Sequence, residues 1–213
     1  MSIEPLHLDG IDVLMADVPP SIMEILGSIA DSMENSWDES KNWNSTLAGH
    51  LLHQYQLDDI PELNSFVLEL ATMYDRHHRL SSSFSKVFSK KVQLSADRSW
   101  INFQGPTEYN PVHGHSGLIS WVIWVKIPYN RIEEAKCFPD RNPEDVLNGD
   151  FQFVYTNHLG RITTSQLALD KEYEGKIVLF PSTMMHAVYP FYTVDSYRVS
   201  VAGNVYVEEY NGQ

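Results

Sequence analysis

An α+β fold, mostly β, with helices packed on one face of a β sandwich or barrel, is what this chain predicts. Three observations carry that expectation. The 213 residues, 43% of them apolar, can build one sizeable core. Up to about residue 85 the apolar positions recur at helical spacing. Beyond it they fall in short runs of β-branched and aromatic residues separated by Gly, Pro, Asn or Asp. With no internal repeat and no low-complexity tract, residues 1–213 read as a single domain. A helical N-terminal region, 1–85, precedes a β core, 86–213.

Taken in order, Ile22, Ile25, Leu26, Ile29 and Met33 form one apolar stripe behind Pro20, a residue suited to a first helical turn. Residues 47–55 suggest a short helix between polar loops. Leu63, Phe66, Val67, Leu70 and Tyr74 form a second stripe, with Asp59 and Glu62 spaced as a capping box. The strand candidates follow: KVFSKKVQLS, SWINFQ, LISWVIWVKIP, DFQFVYT, RITTSQLAL, GKIVLFPS and YRVSVAGNVYVEE. TNHLGR reads as a hairpin turn. The polar stretch from Tyr129 to Asp150 is long enough to be either a lid over a barrel mouth or a surface excursion.

Charge and cysteine content narrow the function classes. Fifteen Lys and Arg against 28 Asp and Glu give a formal charge of -13, which repels a phosphate backbone and argues against duplex nucleic acid as partner. The single Cys137 excludes an internal disulfide, and the opening residues lack a basic leader with an apolar stretch behind it. Both point to a cytoplasmic location. No apolar run approaches the roughly 20 residues of a membrane helix. The oligomeric state has no signature here.

Of nine histidines, six have ordinary settings: His77 and His78 near a helix end, His50 and His53 in the expected short helix, His158 in a turn, His7 near the start. His113 and His115 are two apart in an extended segment, so both project to one side, as a chelating pair of neutral imidazoles would. His186 ends the segment GKIVLFPSTMMH and reaches the same point if the two strands are neighbours. Arg198 lies twelve residues further on, in a strand otherwise made of Tyr, Val, Ser and Ala. A guanidinium inside a barrel needs an anion: a bound carboxylate also held by Ser200 on the same face, or an internal pair with Asp195 or Glu174.

Three segments, WINFQGPTEYNPVHGHSGLISWVIWVKIP, GKIVLFPSTMMHAVYP and YRVSVAGNV, together resemble the iron(II) and 2-oxoglutarate dependent oxygenases over residues 98–206. The likeness is to the prolyl-hydroxylase-like members found in bacteriophages and marine bacteria. It implies a double-stranded β-helix, or jelly roll, with the N-terminal helices packed on one sheet. It also implies Fe(II), 2-oxoglutarate and O2 as cofactor and cosubstrates. The expected reaction is hydroxylation of an unactivated C–H bond in a peptide, protein or small molecule, a prolyl residue being the precedent, with release of succinate and CO2. The family's metal site is His, any residue, Asp or Glu, then a distant His. Here His115 stands in the place of the acid, which implies a three-histidine centre of His113, His115 and His186. Arg198 and Ser200 match the pair that grips the distal carboxylate of 2-oxoglutarate. Trp124 stands where relatives present Tyr toward that carboxylate, and Asn102 and Tyr109 are further candidates for cosubstrate or substrate contact.

Other readings stay open at this point. In a shifted register His115 is the first ligand and Gly117 takes the acid position, as in halogenating relatives. A cupin-like metal protein would share the His, any residue, His pattern but needs a Glu a few residues later, and none follows. A non-enzymatic phage structural or interaction module would not need the histidines and Arg198 together.

Overall fold

The computed structural model describes residues 3–8, 11–88, 91–96, 98–142 and 146–210. In chain order the elements are β1 (Ile3–Leu8), β2 (Ile11–Asp17), α1 (Pro20–Asn35), β3 (His53–Gln56), α2 (Pro61–His78), α3 (Leu80–Phe88) and β4 (Val92–Ser95). There follow β5 (Ser99–Gln104), β6 (Asn110–His113), β7 (Ile119–Lys126), α4 (Arg131–Lys136), β8 (Phe151–Thr156) and β9 (Ile162–Leu167). The last are β10 (Lys176–Pro181), β11 (Met185–Val188) and β12 (Arg198–Glu209).

The strands form two antiparallel sheets. The larger has the order β1-β2-β10-β7-β12-β5-β3 with β4 added on β12, and the smaller has the order β6-β11-β8-β9. This is the jelly roll, and its two-residue period divides the core. Ile101, Phe103, Ile123, Ile177, Leu179, Val199 and Val201 face outward and pack with Leu26, Leu63, Phe66, Val67 and Leu70 of the helices. The alternate residues Trp100, Val122, Trp124, Val178, Phe180 and Ala202 face inward against Phe151, Phe153 and Leu167 of the small sheet. Helices therefore cover one face of the large sheet, and the other face lines the interior.

Both long helices lie where the stripes place them, burying Ile22, Leu26 and Ala30 in α1 and Leu63, Phe66, Val67, Leu70, Ala71 and Tyr74 in α2. The capping box does not form. The N-cap of α2 is Ile60, and Pro61 opens the helix, where its missing N–H costs nothing. Asp59 lies one residue too early and accepts instead from Asn64 Nδ2 at 2.5 Å.

Residues 47–55 are not a helix but a loop running into β3. The Asn44 side chain accepts from Gln54 N at 3.0 Å and donates to Leu52 O at 2.8 Å, so side-chain bonds replace a helical ladder. His53 is consequently a strand residue and His50 a loop residue. The N-terminal region is thus not purely helical, since β1, β2 and β3 belong to the large sheet. In KVFSKKVQLS only Val92 to Ser95 is strand, while its opening residues belong to α3 and residues 89–90 lie outside the described residues. Left-handed Arg79 (φ 56) separates α3 from α2. TNHLGR is the β8–β9 hairpin, closed by Asn157 N to Arg161 O at 2.9 Å with Gly160 at φ 73.

One glycine is demanded by packing alone. A Cβ on Gly203 of β12 would lie 2.5 Å from the Trp121 ring and 2.8 Å from Arg98 O. Gly203→Ala should therefore lower stability by about 1–3 kcal/mol, the usual cost of overpacking a filled site, read as a lowered urea midpoint with unchanged m-value.

Candidate metal centre and the cavity around it

Two neighbouring strands and one loop bring the three histidines together. His113 ends β6 and stands directly across from His186 of β11 in the antiparallel register. His115 sits in the loop between β6 and β7. Its N–H donates to Ser182 O at 2.9 Å, and Ser182 N donates back to Leu118 O at 3.1 Å, fixing that loop to the turn after β10. The ring centroids are 4.3 Å (His113–His186), 4.9 Å (His113–His115) and 5.0 Å (His115–His186) apart. One ring nitrogen from each lies within 4.8 Å of the others.

The rings are prepared as donors. His113 Nδ1 lies 2.7 Å from Pro111 O and His186 Nδ1 lies 3.1 Å from Met184 O. A carbonyl only accepts, so in both rings Nδ1 carries the hydrogen and the Nε2 lone pair is free. Phe151 stacks on His186 at 5.0 Å and Phe180 meets it edge-on at 5.0 Å. Burial pushes all three imidazoles toward the neutral form. His115 is lowered to about 4 by desolvation and then by the charge of His113. His186 is lowered to about 3 by desolvation and then by His113. His113 is lowered by desolvation against the opposing bond to Pro111. Three neutral nitrogen donors converging on one point fit a divalent transition metal.

In the shifted register an acid would replace Gly117. A Cβ there points at Val205 O, 3.0 Å away, and at Asn204, and the backbone has φ 102. That direction leads toward β12 rather than to the imidazoles.

The same cavity holds Arg198, Ser200, Asn102 and Trp124 along with the three histidines. Arg198 is 2% exposed. Its guanidinium donates to Tyr129 Oη at 2.8 Å, to Tyr189 O at 3.4 Å, to Gly149 O and to Gln104 Oε1. All four acceptors are neutral. Neither Asp195 nor Glu174 pairs with it, and among the described residues it forms no ion pair; Glu174 accepts from Ile127 N at 2.7 Å. The nearby Asp150 is engaged by Arg131 at 3.2 Å, and burial raises its pKa against that bond. A buried cation with only neutral acceptors fits an anion in the cavity. Ser200 is across from Asn102 on β5 and from Trp124 on β7, and Trp124 packs against Phe151 and Tyr173. Tyr109 lies apart from the cavity: its ring, 39% exposed, stacks on His50 at 4.7 Å.

Sequence reading missed Gln104 and Gln54, both buried in the cavity wall, and Tyr129 behind Arg198. Gln104 had a signal, since it stands two residues after Asn102 and shares its strand face. Tyr129 had none. Residues 143–145 of the segment from Tyr129 to Asp150 lie outside the described residues, and none of its described residues borders the histidine end of the cavity. The segment leaves β7 at the end away from His115, roughly 23 Å along the strand. It is held there by Glu134, fully buried, which accepts from Tyr192 N at 3.0 Å and Thr193 N at 2.8 Å. At the histidine end the opening is bordered instead by Trp43, Thr46, Leu47 and Ala48. Their loop is tied down by His50 N to Tyr109 O at 2.9 Å and Leu52 N to Glu108 Oε1 at 3.1 Å.

Known proteins share the family and the fold. The model of the family described as "Putative 2OG-Fe(II) oxygenase" matches residues 98–204, half of the chain. No curated protein matches by sequence. Among solved structures the chain is similar to AviO1 from Streptomyces viridochromogenes Tue57, with 11% identity, TM-score 0.55, and 96% of this chain and 93% of that one covered. It is also similar to OsALKBH1, with 11% identity, TM-score 0.51, and 95% and 99% covered. A third is a prolyl hydroxylase from Trichoplax adhaerens in complex with a hypoxia inducible factor oxygen degradation domain peptide fragment, with 10% identity, TM-score 0.50, and 92% and 83% covered. At these identities the structures speak for the fold, and no helix of the described residues is long and apolar enough to cross a membrane. The matched segment begins at the strand before the histidine pair and ends beyond Arg198, so this chain belongs to the 2OG-Fe(II) oxygenases, enzymes that use Fe(II), 2-oxoglutarate and O2.

Proposed function

We propose that the protein is a hydroxylase whose iron(II) is held by His113, His115 and His186 alone, with the distal carboxylate of 2-oxoglutarate beside Arg198 and Ser200. The observation that carries this reading is the placement, in a single cavity, of three neutral imidazoles and one guanidinium that hydrogen-bonds only neutral acceptors. Bound iron with 2-oxoglutarate and O2 supplies the oxidising chemistry, releasing succinate and CO2.

The chain's own residues do the rest. The bonds from Nδ1 to Pro111 and Met184 hold two rings in the donor tautomer. Arg198 neutralises and orients the carboxylate, which replaces a neutral acceptor, Gln104 being the side chain able to turn away. Trp124, Val122, Phe151 and Phe180 give the cavity apolar walls that limit water around the reacting centre. With imidazole in place of a carboxylate, the ligand set carries one negative charge fewer than the usual triad, which favours anionic ligands. The substrate is a peptide, protein or small metabolite entering past Trp43, Leu47 and Ala48. The peptide bound by the Trichoplax relative supports the first of these.

Anaerobic titration with Fe(II) and 2-oxoglutarate should give one visible charge-transfer band at a 1:1:1 ratio, and its absence would refute the assignment. His186→Ala should abolish stoichiometric metal binding, whereas His115→Asp should rebuild the family's ordinary triad and retain it. Arg198→Ala should weaken 2-oxoglutarate by about 2–5 kcal/mol while metal affinity stays within about two-fold, both read from the same titration.

Acid should act on the metal-free protein through the same rings. Their folded values lie below the ordinary 6.5. Below about pH 6.5 the unfolded chain therefore binds protons that the native cluster refuses, and stability falls as pH drops. Urea midpoints should decline between pH 7 and 5, and His186→Gln should flatten that decline.

A further inference from the structure

At one level of the barrel, four strands align a row of side chains. Gln54 of β3 stands across from Asn102 of β5, Asn102 from Ser200 of β12, and Ser200 from Trp124 of β7. Period-two alternation turns all four toward the cavity, whereas Tyr55 and Phe103 face the helical layer. Gln54 is 1% exposed, a depth at which an amide is costly unless it is bonded. Its Nε2 donates to Asn102 Oδ1 at 2.9 Å, and Asn102 Nδ2 donates to Ser200 Oγ at 3.4 Å. Gln54 Oε1 has no partner among the described residues. The backbone of Gln54 is fixed from outside, its N–H donating to Asn44 Oδ1 at 3.0 Å and its C=O accepting from Trp43 N at 2.8 Å.

The direction of this ladder matters because a hydroxyl has one hydrogen and an ionised carboxylate only accepts. With Asn102 donating to Ser200, the Ser200 hydrogen is free for an anion beside Arg198. With both amides turned over, that hydrogen is spent on Asn102 Oδ1 and lone pairs face the anion. What holds Asn102 in the productive orientation is a donor on its far side, and Gln54 Nε2 is that donor.

We propose that Gln54 is a positioning residue of the cosubstrate pocket: its amide fixes Asn102, and through Asn102 it directs the Ser200 hydroxyl to the distal carboxylate of 2-oxoglutarate. This rests on the reading that Ser200 and Arg198 hold that carboxylate. Residues of the N-terminal region thereby take part in cosubstrate recognition without touching the cosubstrate.

The test compares affinities for 2-oxoglutarate and for 2-oxopentanoate, which has the same carbon chain but no distal carboxylate, from the charge-transfer absorbance of the anaerobic Fe(II) protein. Gln54→Glu keeps the shape but loses the donor. It should weaken 2-oxoglutarate about ten-fold, as expected for one charge-assisted hydrogen bond, and leave 2-oxopentanoate within about two-fold. Introduced into Ser200→Ala protein, the same change should have no further effect on 2-oxoglutarate, whereas simple repulsion by the new carboxylate would persist there. Neutral Gln54→Met should show the same selectivity and serves if the Glu variant does not fold. Equal weakening of both ligands, or a loss that adds to that of Ser200→Ala, overturns the proposal alone. A Ser200→Ala protein that binds the two ligands in the wild-type ratio overturns the reading of Ser200, and the proposal with it.

Discussion

Period-two alternation along the inner strands of the large sheet is the constraint on which the rest of the structure depends. Each inner strand presents one row to the helices and the next to the interior, so Phe103 and Val201 seal the helical layer while Asn102, Ser200 and Arg198 share a cavity with the histidines. A slip of one residue in β12 would put Arg198 and Ser200 under α2 and an aliphatic row in the cavity. Pairing with β5 fixes that register from Arg198 to Gly203, and β7 repeats it from Ser200 to Val205, the β7 ladder being irregular between Val199 and Ser200.

The electrostatics of the interior follow from that arrangement. Among the described residues no carboxylate bonds to either end of the cavity: three imidazoles are held uncharged by desolvation, and a guanidinium is met by a phenol, two peptide carbonyls and an amide. Such an interior favours a cation among the imidazoles only together with anions, which matches a metal and a dicarboxylate arriving as a set. Asp150, the buried carboxylate near the guanidinium, makes its side-chain hydrogen bonds with Arg131 and feels Arg198 only through space, so it offsets that charge in part and leaves the donors of Arg198 to neutral acceptors.

Much of this was legible in the sequence where local pattern carried the information. The helical stripes, most core strands and the pairing of His113 with His115 came from spacing and alternation, whereas His186 joined them only on condition that its strand was a neighbour, and the three-histidine centre was implied by the family resemblance. What was missed depended on partners distant in the chain. β3 has only four residues and forms because β5 offers it an open edge, while Asn44 brackets the loop before it. β6 and β11, also four residues each, are held by one another and by β8. The stretch from Tyr129 to Asp150 has a lid's length and polarity. Its anchor is the buried Glu134 carboxylate bonded to backbone N–H groups some sixty residues later, which composition does not reveal.

The placement of β2 bears on how the chain reaches this state. It pairs with β10, and the bond from Lys176 Nζ to Asp17 Oδ1 at 2.5 Å joins positions 159 apart. During synthesis β2 is made long before its partner β10, so hairpin pairing with β1 is what shields one of its edges meanwhile. Closure of the large sheet is a late event that carries a large loop-closure cost, and the topology belongs to the slow-folding class. Helices α1 and α2, whose contacts within each helix are local, form on a far shorter timescale and wait for the wall they cover.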